Sequence, residues 1–180
     1  MALSSTVYNF DIDLADGDRS VYESLSLRVA RHPSESAEYL VARVLAYALE
    51  YTDGIEFSRG LCDPDDPAIA IRDLTGSLTA WIDIGSPDAA RLHKASKLAP
   101  RVTVYAHKRV DQWLRNLHGK RIHDAEDIQI LALDPGFVAQ VAARLERRMA
   151  FSLSVDEREL FLSIGADTVT GRVVGHTIDA

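Results

Sequence analysis

The sequence predicts an α/β fold, a mixed α+β sheet protein with flanking antiparallel strands. Three observations predict it. Near both ends apolar residues alternate with polar ones, as at Phe10, Ile12, Leu14 and again at Met149, Phe151, Leu153; alternation of this kind marks a half-buried strand. Two central stretches, residues 39–51 and 87–98, carry helical patterns. The segments between and after them are short, apolar and rich in strand formers, so the middle reads helix, strand, strand, strand, helix, strand.

Taken in order, Tyr8, Phe10, Ile12 and Leu14 form the first strand, with Asp11 and Asp13 on its wet face. Residues 15–18, Ala-Asp-Gly-Asp, have turn chemistry, and Leu25, Leu27 and Val29 return as the partner strand of a hairpin or meander. Ser34 is the expected N-cap of the first helix, with Glu35 and Glu38 in a first turn that favours negative charge. Asp53-Gly54 ends that helix. Residues 55–61 and 68–74 are short strands separated by an acidic, proline-rich loop, 62–67. A tight turn at Gly76 leads into the central strand, 78–84. Ser86 as N-cap and Pro87 as first helical residue open the second helix. The strand at 101–106 is almost wholly apolar, as in a sheet covered on both faces. A short helix at 110–117 places Trp113 on its apolar side. After it come a buried strand at 128–133, an Asp134-Pro135 helix start with Phe137, Val138, Val141 and Leu145, and three terminal strands. The first three central strands are expected antiparallel, because their connections are short. The fourth is expected parallel to the central one, because a helix carries the crossover.

A chain of 180 residues, 47% hydrophobic and 26% charged, fits one globular domain over residues 1–180. No apolar run has the length of a membrane span, and no signal segment opens the chain, so no membrane partner is expected and the cytoplasm is the default location. A single cysteine, Cys62, excludes an intrachain disulfide. The net charge of −7 argues against a generic nucleic-acid coat protein. Residues 91–121, however, hold nine basic residues against Asp111 alone, a net of +8, leaving −15 elsewhere. That polarity suits a basic groove for nucleic acid, and equally a solvated face balanced by acidic neighbours.

One constellation carries possible chemistry. Asp83 lies between two isoleucines, where a carboxylate needs a partner. A hairpin centred on Gly76 pairs residues whose numbers sum to about 152. Asp83 then faces Ile69, close to Asp65 and Asp66, whereas Asp73 lies nearer the turn. Two neighbouring carboxylates repel, so at least one should hold its proton more tightly unless a cation sits between them, and Mg2+ asks for only one or two carboxylates plus waters and phosphate oxygens. Asp83 and Asp66, with Asp65 as alternate, are the candidate metal ligands, and Glu35 or Glu38 a third donor. Lys94 or Arg91 would stabilise phosphate charge, and Lys97 extends the cationic helix. The same residues also fill ordinary roles: acids at helix starts and in loops, and Asp83 paired with Arg91 or Lys94. The histidines are scattered and do not read as ligands.

Several segments together resemble the bacterial YaeQ family: Arg31-His32-Pro33-Ser34-Glu35, Phe57-Ser58-Arg59-Gly60-Leu61, Asp73-Leu74-Thr75-Gly76, Trp81-Ile82-Asp83-Ile84-Gly85, and Pro87-Asp88 through Arg91 to Lys94-Ala95. The likeness covers nearly the whole chain. It implies a variant of the PD-(D/E)xK nuclease-like fold, with a restriction-endonuclease-like core of helix, three antiparallel strands, helix and strand. It further implies Mg2+ held by acids on the second and third strands, matched in type by Pro64-Asp65-Asp66 and Asp83, and a lysine two residues beyond the second acid. Gly85 stands at that lysine position, and Lys94 on the next helix is the natural substitute. Two classes of function follow as expectations. One is a Mg2+-dependent nuclease with Asp83, Asp66 and Lys94 catalytic, and Arg91, Lys94 and Lys97 on phosphate. The other is a catalytically inactive module of the same fold that binds nucleic acid or a protein partner.

Overall fold

The computed structural model describes residues 4–58 and 64–179. The end of the strand expected at 55–61, together with Cys62 and Asp63, lies outside the described residues. The chain forms two compact units: the segments up to Leu49 and from Leu133 to Val173 make the first, and Glu50–Ala132 with the tail from Val174 makes the second.

In the first unit, β1 (Thr6–Asp16) and β2 (Val21–Arg31) form an antiparallel hairpin, Thr6 opposite Arg31 and Asp16 opposite Val21. Phe10, Ile12 and Leu14 are buried, as their alternation requires, and Ser24 and Ser26 on β2 bind Asp13 and Asp11 on the wet face. β8 (Arg148–Asp156) runs parallel to β1, and β9 (Glu159–Ile164) and β10 (Asp167–His176) continue antiparallel. The order is therefore β2-β1-β8-β9-β10. Helix α1 (Ala37–Leu49) has nine buried residues, Leu40 to Leu49 with few interruptions, and packs on α4 (Pro135–Ala142). Asp134 caps α4 through the N–H groups of Gly136 and Phe137, as its Asp-Pro start foretold, but α4 ends before Leu145.

One expected cap is corrected here. Ser36, not Ser34, accepts the Tyr39 N–H at the start of α1. Ser34 instead bonds the His32 ring, and Glu35 turns back to accept the His32 N–H at 3.0 Å, so it precedes the helix rather than standing in its first turn. The residues around Pro33 make a local turn of their own, which competes with an earlier helix start.

In the second unit, β3 (Ile55–Phe57), β4 (Ile69–Arg72) and β5 (Leu78–Ile84) are antiparallel, while β6 (Arg101–Ala106) and β7 (Gln129–Leu133) run parallel to β5. Helix α2 (Ala89–Leu98) links β5 to β6, and α3 (Val110–Leu117) with a 3-10 turn (Ala125–Asp127) links β6 to β7. The order is the expected one, and the directions of β3 to β6 are those expected. The core gathers Trp81 of β5, Leu92 and Ala95 of α2, Val104 of β6, and Trp113 and Leu117 of α3. Val102 to Ala106 are all buried, as a strand flanked by two parallel neighbours should be.

The β4–β5 register corrects the sequence-based pairing by one residue. Ile69 faces Ile82 and Ile71 faces Ala80, whereas Arg72 faces Leu78. Thr79 is the extra residue of a β-bulge, and its hydroxyl donates to the Ile71 carbonyl at 3.0 Å. The turn is centred on Thr75, where the Asp73 N–H donates to the Ser77 carbonyl, and the bulge takes back one of the two residues by which that centre departs from a hairpin centred on Gly76. Asp83 consequently lies beside Ala68 rather than opposite Ile69.

Candidate functional site

β5 delivers Trp81 and Asp83 to one face, two residues apart, and both are buried. Gly85 then turns the chain with φ +89°, its N–H held by the Tyr105 carbonyl at 2.9 Å. Helix α2 starts at Ala89, and Asp88 is its cap, accepting the Arg91 N–H at 2.8 Å. This moves the cap two residues from the expected Ser86. Asp88 satisfies the first-turn amide with a carboxylate, which also suits the dipole.

One turn into α2, Arg91 reaches back to Asp83. Its Nε donates to Oδ2 at 2.6 Å and its Nη2 to Oδ1 at 2.9 Å. The same guanidinium donates to the Asp66 carbonyl at 2.8 Å and the Pro64 carbonyl at 3.3 Å, and lies 5.2 Å above the Trp81 ring. The Ala68 N–H adds a donor to Asp83 Oδ1 at 3.2 Å. Four oxygens thus converge on one cationic group of the chain itself. Lys94, a turn further on, pairs with the Asp65 carboxylate. The structure therefore brings Asp65, Asp66, Asp83, Arg91 and Lys94 together, as the sequence suggested. Asp66 enters through its backbone, and Arg91 is the group at the centre.

Glu35 and Glu38 belong to the other unit. Glu35 is buried, with Arg43 Nη2 3.1 Å from Oε1 and 3.4 Å from Oε2; that nitrogen also donates to the Ala30 carbonyl at 2.7 Å. Burial pushes the Glu35 carboxyl above its ordinary value, against the pull of Arg43, and lowers Arg43. Glu38 stands in the first turn of α1.

The donor set can be tested against a divalent ion. Both Asp83 oxygens bind Arg91, Asp65 binds Lys94, and no group of three or more His, Cys, Asp or Glu suited to a metal occurs among the described residues. In this arrangement the residues present do not fit Mg2+, which requires free oxygen ligands at short range.

The basic segment 91–121 is divided by its partners. Arg91, Lys94 and Arg101 are paired, the last with Glu50, which also accepts the Tyr105 hydroxyl at 2.8 Å. Lys97, Lys108, Arg109, Arg115, Lys120 and Arg121 have no carboxylate partner among the described residues. His93 sits among them and accepts the His123 N–H at 3.1 Å. Partial desolvation, with the positive charge of Lys97, Arg121 and His123, holds its ring below the ordinary value.

An open cleft of about 630 Å³ lies between the start of α2 and one face of α3. Trp113 forms part of its wall, with Nε1–H donating to the Pro87 carbonyl at 2.8 Å. Arg109, Gln112, Asn116 and Lys120 also line it. Sequence reasoning passed over Gln112 and Asn116. Their signal was spacing alone: steps of three and four place residues on one helical stripe, the side of α3 that Trp113 and Leu117 leave polar.

No helix among the described residues is long and apolar enough to cross a membrane. The match of this chain to known proteins is nearly full length. A family model described as YaeQ protein matches residues 1–173. An uncharacterized protein YaeQ of Escherichia coli (strain K12) is 32% identical over 166 residues, 91% of each chain, and one of Salmonella typhi is 30% identical over 164 residues. The crystal structure of a YaeQ protein from Xanthomonas axonopodis pv. citri superposes with a TM-score of 0.87 at 30% identity, covering 98% of this chain and 100% of that one. A second, from Pseudomonas syringae, gives 0.85 at 30% identity, covering 97% of each. With this sequence likeness and this fold, the chain belongs to the YaeQ family.

Proposed function

We propose that this chain is a nucleic-acid-binding module on a nuclease-like scaffold whose hydrolytic chemistry is silent. The scaffold reading rests on the chain order α1-β3-β4-β5-α2-β6, the order of a PD-(D/E)xK core, with β3 to β5 antiparallel and β6 parallel to β5. The observation that carries the silence is the Arg91 guanidinium, which takes both Asp83 oxygens and the carbonyls of Asp66 and Pro64. A fixed organic cation occupies the oxygens that a catalytic metal would need. Lys94, the substitute for the lysine absent at Gly85, is engaged by Asp65. The six cations from Lys97 to Arg121 that have no carboxylate partner among the described residues support binding, since affinity for phosphate chains grows with the number of phosphates neutralised.

The test has two arms. Fluorescence anisotropy with labelled DNA and RNA between about 50 and 200 mM salt should show log K falling linearly with log salt. Incubation of the same nucleic acids with Mg2+ or Mn2+ should give no cleavage beyond that of the Asp83→Ala variant. Cleavage present in the wild type and lost in Asp83→Ala would make the chain an enzyme. A flat salt response would remove nucleic acid and leave a protein partner.

A second reading, a Mg2+-dependent nuclease, is favoured by one feature: the Asp83, Asp66 and Pro64 oxygens already face a single cation position. Calorimetric titration of Mn2+ into wild type and Arg91→Ala checks it. Micromolar binding by the wild type supports that reading, and binding by neither protein ends it.

A further inference from the structure

We infer that the cleft between α2 and α3 binds a short stretch of single-stranded nucleic acid, with cations at both ends and base-reading amides between them. This rests on the nucleic-acid reading above and assigns it a place and a strand type. Arg109, Gln112, Asn116 and Lys120 are all exposed, all line the cleft, and have no side-chain partner among the described residues. Unpartnered cations beside unpartnered amides are what a ligand with both phosphates and base edges requires. Arg and Lys meet phosphate. Gln and Asn each present a donor and an acceptor on one planar group, which matches the paired donor and acceptor of a base edge.

The spacing sets the size of the ligand. At 1.5 Å per residue, Arg109 and Asn116 are about 10 Å apart along α3. Lys120 follows beyond the helix end, past Gly119 at φ +72°. That length matches about three nucleotides at the 3.4 Å rise of a stacked strand.

The shape sets the strand type. A helix that reads duplex DNA stands proud and enters the major groove. Here the polar stripe of α3 forms one wall of an open cleft against Pro87 and Asp88 of the α2 start, so α3 does not stand proud of its neighbour as a groove-reading helix does. A slot of this kind admits a single strand whose bases are free of a partner. Asp88 fixes the polarity further. Its carboxylate already caps α2, so the helix start repels phosphate, and the phosphates belong at Arg109 and Lys120. Trp113, held by its bond to the Pro87 carbonyl, gives that wall a fixed apolar surface.

The experiment is an anisotropy titration with labelled 12-nucleotide dA, dC and dT oligomers and a duplex of equal length, across the salt range above. Arg109→Asn removes the charge while suiting the left-handed backbone at φ +45°. It and Lys120→Ala should each reduce the salt slope by about 0.7, one phosphate of a single strand. Gln112→Ala and Asn116→Ala should leave the slope unchanged and alter the ranking of dA, dC and dT. Arg28→Ala, exposed on β2 and outside the basic 91–121 segment, is the charge control. Circular dichroism confirms that each variant is folded. If the wild type binds with a salt slope that Arg109→Asn and Lys120→Ala do not reduce beyond Arg28→Ala, the cleft assignment is overturned while the wider reading stands. Tighter binding of the duplex overturns the single-strand assignment. No salt-dependent binding by the wild type overturns both.

Discussion

Arg91 clamps Asp83 from the following helix, its Nε 2.6 Å from Oδ2 and its Nη2 2.9 Å from Oδ1. The carboxylate is 2% exposed as a residue, so the clamp is what permits a charge between Ile82 and Ile84. Removing one member strands the other. Arg91→Ala is expected to lower stability by about 3 kcal/mol, the low end for breaking a buried pair, because Arg91 is itself partly exposed. The double variant Asp83→Ala/Arg91→Ala should lose at least about 1 kcal/mol less than the two single losses combined. Urea denaturation at neutral pH measures both, and an Arg91→Ala protein as stable as wild type would falsify the clamp.

On the scaffold reading proposed above, Gly85 takes the place of a catalytic lysine, yet a lysine at this position is not expected to confer cleavage. The backbone there has φ +89°, a region side chains rarely adopt. Gly85→Lys is expected to cost about 1 to 3 kcal/mol and to give no Mg2+- or Mn2+-dependent cleavage. A stable, cleaving Gly85→Lys protein would show that only the side chain was missing.

Glu35 makes the first unit sensitive to pH. Burial raises its carboxyl pKa above the ordinary 4.5, with Arg43 the largest opposing influence. The native state then holds its proton more tightly than the unfolded chain. That contribution to stability is complete below the ordinary value and is lost as pH rises through the native one. Arg43→Met removes the main opposing charge, so the loss should extend to higher pH. Urea midpoints from about pH 4 to about pH 8 compare the two proteins; identical pH profiles would rule this out.

The β4–β5 turn responds in the opposite sense. Asp73 Oδ1 accepts the Thr75 hydroxyl at 2.6 Å, the Thr75 N–H at 2.9 Å and the Ser77 N–H at 3.0 Å. The Thr75 hydroxyl bond, followed by the Ser77 N–H, holds its carboxyl below the ordinary 3.8. Its contribution is present above that ordinary value and is lost as pH falls through the lower native one. Asp73→Ala should flatten the acid limb of the stability profile, read by acid titration of the tryptophan fluorescence. An unchanged limb would place acid sensitivity elsewhere.

The sequence by itself determined the order of elements and the directions of the central strands. Alternation at Phe10, Ile12 and Leu14, the strand formers of 78–84 and the Asp134-Pro135 start are local signals, and local signals survive without knowledge of the fold. It also brought Asp83, the Asp65–Asp66 pair, Arg91 and Lys94 into one neighbourhood, because a short hairpin and a following helix leave few places for them. Tertiary structure decided the rest. A turn centred on Thr75 and the Thr79 bulge together set Asp83 one residue off the expected register, and the turn around Pro33 shifted the α1 cap to Ser36. Above all, whether Asp83 meets a metal or a guanidinium depends on where α2 lies over β5, and on the rotamer that carries Arg91 back across Trp81. The same helix placement and the fold of α3 beside it made Arg109, Gln112, Asn116 and Lys120 one wall of a cleft. Local patterns fix which residues share a face; only packing fixes what that face meets.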